Sequence, residues 1–152
     1  NVDITALDQS REALAIAAWN VQQHQVAPIV TLVESDLFSE LDPDASFDIV
    51  CSNPPYVSEP EYAQLSPTVR DYEPREALVS GPSGTELIAR LLSETTDRLV
   101  VGGRLIVELS PMIADACEQM VDEAAAWQDL QFIKDLEGHR RILSVARAGD
   151  GD

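Results

Sequence analysis

Basic residues are scarce in this sequence. Its 152 residues include ten Lys and Arg against 27 Asp and Glu, which gives a net charge of −17, and the one lysine is Lys134. Proteins that bind the phosphate backbone of nucleic acids use clustered Lys and Arg. Direct binding of nucleic acid is therefore not expected, and a protein substrate fits this charge better. The same charge is also consistent with high solubility or with a salt-adapted host.

Long apolar runs and paired cysteines are also lacking. No apolar run approaches the roughly 20 residues that span a bilayer, and the first residues lack the basic start and apolar core of a signal peptide. Cys51 and Cys117 form no metal-ligand spacing, and both fall in predicted core elements. We therefore expect two buried thiols in a reducing cytoplasm, with no metal site and no membrane partner.

What is present is an alternation of strand and helix patterns in a chain long enough for one domain. Helices are predicted after a Ser10 N-cap, over 84–99 behind a Ser83–Glu86 capping box, and from Pro111 onward. Residues 57–82, with four prolines, are predicted to form a substrate-side flap with one short helix. The predicted strands are 2–7, 29–33, 47–52, 104–109, 130–134 and 140–146. This order predicts an α/β sandwich with a mostly parallel sheet, in which the final strand–turn–strand contributes one antiparallel strand.

The third predicted strand ends in the corner Asn53-Pro54-Pro55-Tyr56. Neither proline can donate to a sheet ladder, and each restricts the residue before it to extended conformations. The corner is therefore stiff, and it presents the Asn53 amide, nearby carbonyls and one aromatic ring. A proline-terminated strand with an ordinary turn is the alternative interpretation.

Acidic residues follow two other predicted strands. Asp8 has the position of a carboxylate that accepts from both ribose hydroxyls, although a helix N-cap is an equal alternative. Asp36 could hold a base edge or cap a short helix. Leu37 and Phe38 could cover an adenine face, with core packing as the default for Phe38. In doubly wound sheets ligands lie beyond the carboxyl ends of the strands, so Asp8, Asp36 and Asn53 are all expected at one edge.

The corner matches the [N/D]-P-P-[Y/F] motif of S-adenosylmethionine-dependent amino-group methyltransferases. Four further stretches occur in matching order: 6–10 (ALDQS), 34–38 (ESDLF), 69–78 (VRDYEPREAL) and 135–140 (DLEGHR). With them, nearly the whole chain resembles the catalytic domain of the release factor glutamine methyltransferases (PrmC/HemK type). The resemblance implies a Rossmann-like class I methyltransferase fold and S-adenosylmethionine as cofactor.

The same resemblance implies the role of each site residue. Asp8 would bind the ribose of S-adenosylmethionine, Asp36 and Leu37 would line the adenine pocket, and Asn53 would touch both cofactor and substrate. Asn53, Pro54 and Tyr56 would form the catalytic group, and Pro55 would complete the slot for a glutamine in the Gly-Gly-Gln loop of a peptide chain release factor.

One departure from the family pattern concerns the start of the chain. The family's first strand ends in a glycine-rich loop, typically G-x-G-x-G, which this sequence lacks. We therefore expect residues 1–148 to be a partial catalytic domain without its first strand, followed by an acidic tail at 149–152. The open alternatives are a glutamine methyltransferase of a ribosomal protein, an N-P-P-Y nucleic-acid methyltransferase, and a truncated domain that cannot hold cofactor.

Overall fold

The computed structural model describes residues 2–149, so most of the predicted acidic tail lies outside the described residues. The chain forms two compact units, Asn1–Ala45 and Ser46–Asp152. In the first unit, β1 (Ile4–Asp8) and β2 (Val30–Glu34) pair in parallel, and α1 (Arg11–Gln23) connects them. The Ser10 hydroxyl accepts the Ala13 N–H at 3.1 Å, which confirms the predicted N-cap.

The second unit contains a four-stranded sheet in the order β3–β6–β8–β7. Its strands are β3 (Phe47–Ser52), β6 (Leu99–Glu108), β7 (Trp127–Lys134) and β8 (Arg140–Arg147). β3 pairs with β6 in parallel, whereas β8 lies antiparallel between β6 and β7. The predicted antiparallel strand is therefore confirmed, and it is β8.

The core of the second unit lies between this sheet and two helices, α5 (Glu86–Thr95) and α6 (Ala114–Asp122). A short 3₁₀ turn (Pro111–Ile113) precedes α6, as the Pro111 start predicts. The sheet contributes alternate side chains of β6 and β8 with 0% exposure: Leu105, Val107, Leu143 and Val145. This alternation is the period-2 pattern that buries one face of each strand.

The prediction of two buried thiols is half wrong. Cys117 is fully buried, and burial raises the pKa of its thiol to about 11. Cys51 is exposed. Cys51 lies on β3, which is an edge strand of the four-stranded sheet. On this strand Val50, and not Cys51, packs against the core. An apolar run cannot by itself tell which of its alternate residues faces inward.

The predicted boundary between α5 and the next strand is also wrong. The helix begins at Glu86 and ends at Thr95, and β6 begins at Leu99, five residues before the predicted start at Arg104. The glycine pair Gly102-Gly103 lies inside β6 and does not form a connecting turn. The β3–β6 register shifts beside it, and a Cβ on Gly103 would lie 3.0 Å from the Asp48 carbonyl oxygen. The glycines thus mark a bulge with close backbone approach.

Residues 57–82 are more ordered than the predicted flap with one short helix. They contain β4 (Val57–Ser58), α2 (Glu59–Tyr62), α3 (Pro67–Arg70), α4 (Arg75–Leu78) and β5 (Val79–Gly81). β4 and β5 pair in parallel, and Ser58 with Glu61 forms a capping box at α2. Pro60 and Pro67 lie in the first turn of α2 and α3, which suits proline, and Pro74 is the N-cap of α4.

None of the helices among the described residues is long and apolar enough to cross a membrane.

Candidate functional site

The corner Asn53-Pro54-Pro55-Tyr56 directly follows β3, as predicted. Pro54 is buried, Pro55 and Tyr56 are half-buried, and Asn53 is exposed. The packed prolines and the exposed amide agree with a rigid support that presents one polar side chain.

A cavity of about 310 Å³ lies at this end of the sheet. Its lining comes from the ends of β3 and β6 and from β8: Cys51, Ser52, Asn53, Ile106, Glu108 and Ile142. Its walls are mostly apolar and it is wide open to solvent, with a volume at the lower limit of small-ligand sites. Asn53 contributes an amide group to this lining, and Glu108 contributes a carboxylate.

The phenol group of Tyr56 contacts Glu108, one of the residues that line the cavity. The Tyr56 hydroxyl donates to the Glu108 carboxylate at 3.3 Å, and the ring packs against the core of the second unit. Burial raises the pKa of Tyr56, and the charge and hydrogen bond of Glu108 raise it further. Tyr56 is therefore a neutral hydrogen-bond donor at neutral pH.

The sequence-based prediction missed two residues at this corner, Glu108 and Gly84. Gly84 has φ +83°, and a Cβ there would lie 2.6 Å from the Tyr56 carbonyl oxygen. The signal for Glu108 is its position as the last residue of an apolar strand, at the same sheet edge as Asn53. Gly84 offers no comparable signal, because its role depends on a neighbour far away in sequence.

The carboxyl ends of β1 and β2 lie side by side in the first unit. Asp8 pairs in register with Glu34, and the Asp8 carbonyl accepts the Ser35 N–H at 3.0 Å. The Asp8 carboxylate accepts the Ser10 N–H at 2.8 Å and is exposed. Since Ser10 is the N-cap of α1, Asp8 does not have the capping role that was its alternative interpretation.

The segment after β2 places Asp36 and Leu37 beyond the same edge. The buried Ser35 hydroxyl donates to the Leu37 carbonyl at 2.7 Å, and Leu37 adopts a left-handed φ of 49°. Phe38 is buried, whereas Leu37 is half-buried and Asp36 is exposed. An exposed carboxylate with an adjacent apolar side chain suits the ribose and adenine of a nucleoside cofactor, so the residues present fit S-adenosylmethionine.

The structure thus brings the predicted site residues into two groups. Asp8, Asp36 and Leu37 lie together in the first unit, and the four corner residues lie in the second. That all of them share one edge stays a prediction. Within residues 2–149, no group of three or more His, Cys, Asp or Glu has the arrangement of a metal site.

Comparison with known families gives a match to the methyltransferase small domain over residues 1–67. The solved structures that share the fold include the following two. A methyltransferase from Pyrococcus furiosus superposes with a TM-score of 0.67 at 19% identity, covering 97% of this chain and 64% of that one. The catalytic domain of hMettl16 has a TM-score of 0.71 at 13% identity, covering 99% and 56%.

Curated relatives are more similar in sequence. The release factor glutamine methyltransferase of Rhodopirellula baltica is 52% identical over 95% of this chain and 49% of its own length. That of Nitratidesulfovibrio vulgaris is 39% identical over 93% and 48%. The ribosomal protein uL3 glutamine methyltransferase of Francisella tularensis is 33% identical over 99% and 43%.

The fold and these matches define a class I S-adenosylmethionine-dependent methyltransferase domain. Within that class, the chain belongs to the release factor glutamine methyltransferase family. It spans about half the length of the curated relatives it matches.

Proposed function

We propose that the full-length protein transfers a methyl group from S-adenosylmethionine to the side-chain amide nitrogen of a glutamine in peptide chain release factors. The observation that carries this proposal is the cavity at the N-P-P-Y corner, where Asn53 is exposed on a rigid support. The 52% identity with a release factor glutamine methyltransferase supports the choice of substrate. The roles of individual site residues are part of the same proposal.

The chemical difficulty of this reaction lies in the substrate. An amide nitrogen is a weak nucleophile because its lone pair is delocalised into the carbonyl group. The Asn53 side-chain oxygen and the Pro54 carbonyl each accept one N–H bond of the substrate amide. These two acceptors orient the nitrogen and favour the positive charge that develops on it as the new N–C bond forms. Tyr56 packs against the flat amide, and Pro55 completes the slot.

The cofactor supplies a methyl group that is already activated by its bond to a positively charged sulfur. Asp8 accepts the ribose hydroxyls, and Asp36 and Leu37 line the adenine pocket. When the N–C bond forms, the bond from the methyl group to sulfur would break and leave a neutral thioether. The nitrogen then loses one of the two protons that Asn53 and Pro54 hold. An N-protonated amide is strongly acidic, so this proton passes to solvent without a dedicated general base.

The domain limits and the cellular setting belong to the same proposal. We assign residues 1–148 to part of the catalytic domain and residues 149–152, most of which lie outside the described residues, to an acidic tail. A net charge of −17 on these 152 residues disfavours contact with a phosphate backbone and supports a protein partner. We propose that this partner is the release factor, in the cytoplasm and without nucleic acid or membrane.

A second substrate has a specific observation in its favour. The uL3 glutamine methyltransferase of Francisella tularensis is 33% identical over 99% of this chain, so the similarity extends to a relative named for a ribosomal protein. Both candidate substrates present a glutamine side chain, and the chemistry of Asn53 and Pro54 is the same for both.

The decisive experiment offers both proteins to the enzyme. The full-length protein is incubated with S-adenosylmethionine and either release factor or uL3, and peptides are analysed by mass spectrometry. We expect one added methyl group on the glutamine of the release factor Gly-Gly-Gln loop. Methylation of uL3 alone would move the assignment to the second substrate, and methylation of neither would contradict glutamine transfer.

A further inference from the structure

We propose that Glu108 is a positioning residue for this reaction, which holds the Tyr56 ring in place beside the substrate slot. This inference rests on the proposed function. Its basis is that Glu108 has two contacts at once: its carboxylate accepts the Tyr56 phenol at 3.3 Å, and it lines the cavity together with Asn53.

The sheet places Glu108 firmly. It is the last residue of β6 and pairs with Ile142 of β8, while the preceding Val107 pairs with Ser52 of β3. Its neighbours Val107 and Leu109 are both fully buried. The Leu109 N–H donates to the Arg141 carbonyl at 2.9 Å, so the ladder with β8 continues past Glu108. The backbone of Glu108 is therefore held directly by β8, and that of the preceding residue by β3.

Tyr56 has a less constrained setting. It lies beyond the end of β3 in the connection to β4, and its ring is half-buried. A tyrosine ring turns about two side-chain torsions, and a hydrogen bond at its far end restricts both. Since Tyr56 must lie flat against the substrate amide, an anchor on a rigid strand reduces the orientations available to the ring.

Two other charged groups interact with the Tyr56 phenol through charge, whereas Glu108 accepts its hydrogen bond. Arg141 and Glu73 act on Tyr56 through their charge, and the Arg141 guanidinium pairs with Asp135 at 3.2 Å. The Glu108 carboxylate accepts the hydrogen bond that the Tyr56 hydroxyl donates. The contact joins residues 52 positions apart, so it forms only when β6 and the corner come together in the fold.

The test is a double-mutant cycle in the full-length protein with release factor as substrate. We expect Glu108→Ala and Tyr56→Phe each to lower kcat by roughly tenfold, the usual size for loss of a hydrogen bond to a charged group. The double variant should be no worse than either single one, because both remove the same contact. Glu108→Gln retains an acceptor and should recover most of the activity. Affinity for S-adenosylmethionine should stay unchanged throughout, and Glu94→Gln, on α5, serves as the matched control.

Two outcomes of the cycle would overturn the role of Glu108. Losses that multiply in the double variant would mean that Glu108 and Tyr56 act independently. A Glu108→Gln variant as slow as Glu108→Ala, beside a normal Tyr56→Phe, would mean that the negative charge and not the hydrogen bond matters.

A second measurement needs no methyl transfer. Ultraviolet difference titration against Tyr56→Phe isolates the phenol of Tyr56, and Glu108→Gln should lower its pKa. An unchanged pKa would overturn the contact itself. Absence of turnover in the unmodified protein with both release factor and uL3 would instead overturn the proposed function, and the catalytic role of Glu108 with it.

Discussion

Gly84 lies directly behind the carbonyl group of Tyr56, since a Cβ at Gly84 would be 2.6 Å from that oxygen. The same Cβ would be 3.2 Å from the Ser58 nitrogen, so backbone on both sides of Val57 packs against this glycine. Gly84, two residues before the start of α5, thus allows the corner to approach this segment closely.

Gly84→Ala should therefore disturb the corner. The substitution adds left-handed strain of about 1–2 kcal/mol and also forces the Tyr56 carbonyl to move. We expect a lower free energy of unfolding in urea and a raised KM for the protein substrate. Gly102→Ala is the control, because Gly102 has a similar φ of +79° but nothing within 4 Å of the added Cβ. Equal losses in the two variants would show that strain alone is responsible.

Asn53→Ala should abolish most methyl transfer while preserving cofactor binding. The change removes one of the two proposed acceptors of the substrate amide, and loss of one such preorganised partner costs on the order of 100-fold in kcat. Turnover on a Gly-Gly-Gln peptide loop and calorimetry with S-adenosylmethionine measure the two effects separately. Asn20→Ala, on the exposed surface of α1, should leave both unchanged. Normal turnover of the Asn53 variant would rule out its assigned role.

Asp8→Asn should weaken the binding of S-adenosylmethionine. A carboxylate accepts hydroxyl hydrogen bonds more strongly than a neutral amide does, and the difference corresponds to roughly tenfold or more in Kd. Calorimetry on the full-length protein gives this value directly. Asp3→Asn is the matched control, because Asp3 is also exposed but precedes the opposite end of β1. Similar losses in both variants would indicate a general charge effect in place of a ribose contact.

Leu143→Ala should destabilise the protein by about 2–5 kcal/mol, because the side chain has 0% exposure in the core and its loss leaves a cavity. Leu136→Ala, the same substitution at a fully exposed position in the β7–β8 turn, should change the free energy of unfolding by less than about 0.5 kcal/mol. Urea unfolding monitored by circular dichroism compares the two. A small effect at Leu143 would contradict the packing of β8 against the helices.

The elements that the sequence predicted best are those with local chemical causes. β3 begins at Phe47 and ends at Ser52 as predicted, because the two prolines that follow cannot continue a ladder. The Ser10 cap also rests on neighbours along the chain. Boundaries that depend on a distant partner were less predictable. Gly102-Gly103 have the composition of a turn, and only the approach of the Asp48 carbonyl shows why they lie in a strand.

For this protein, the sequence by itself determined the family, the stiff N-P-P-Y corner, the acids at the strand ends and the antiparallel last strand. Only the tertiary structure decided what surrounds the corner: Glu108 at the tip of Tyr56, Gly84 behind its carbonyl, and Cys51 on the exposed side of β3. The physical reason is that a motif is a run of adjacent residues, whereas a site is completed by strand register and helix packing that join residues far apart in the chain.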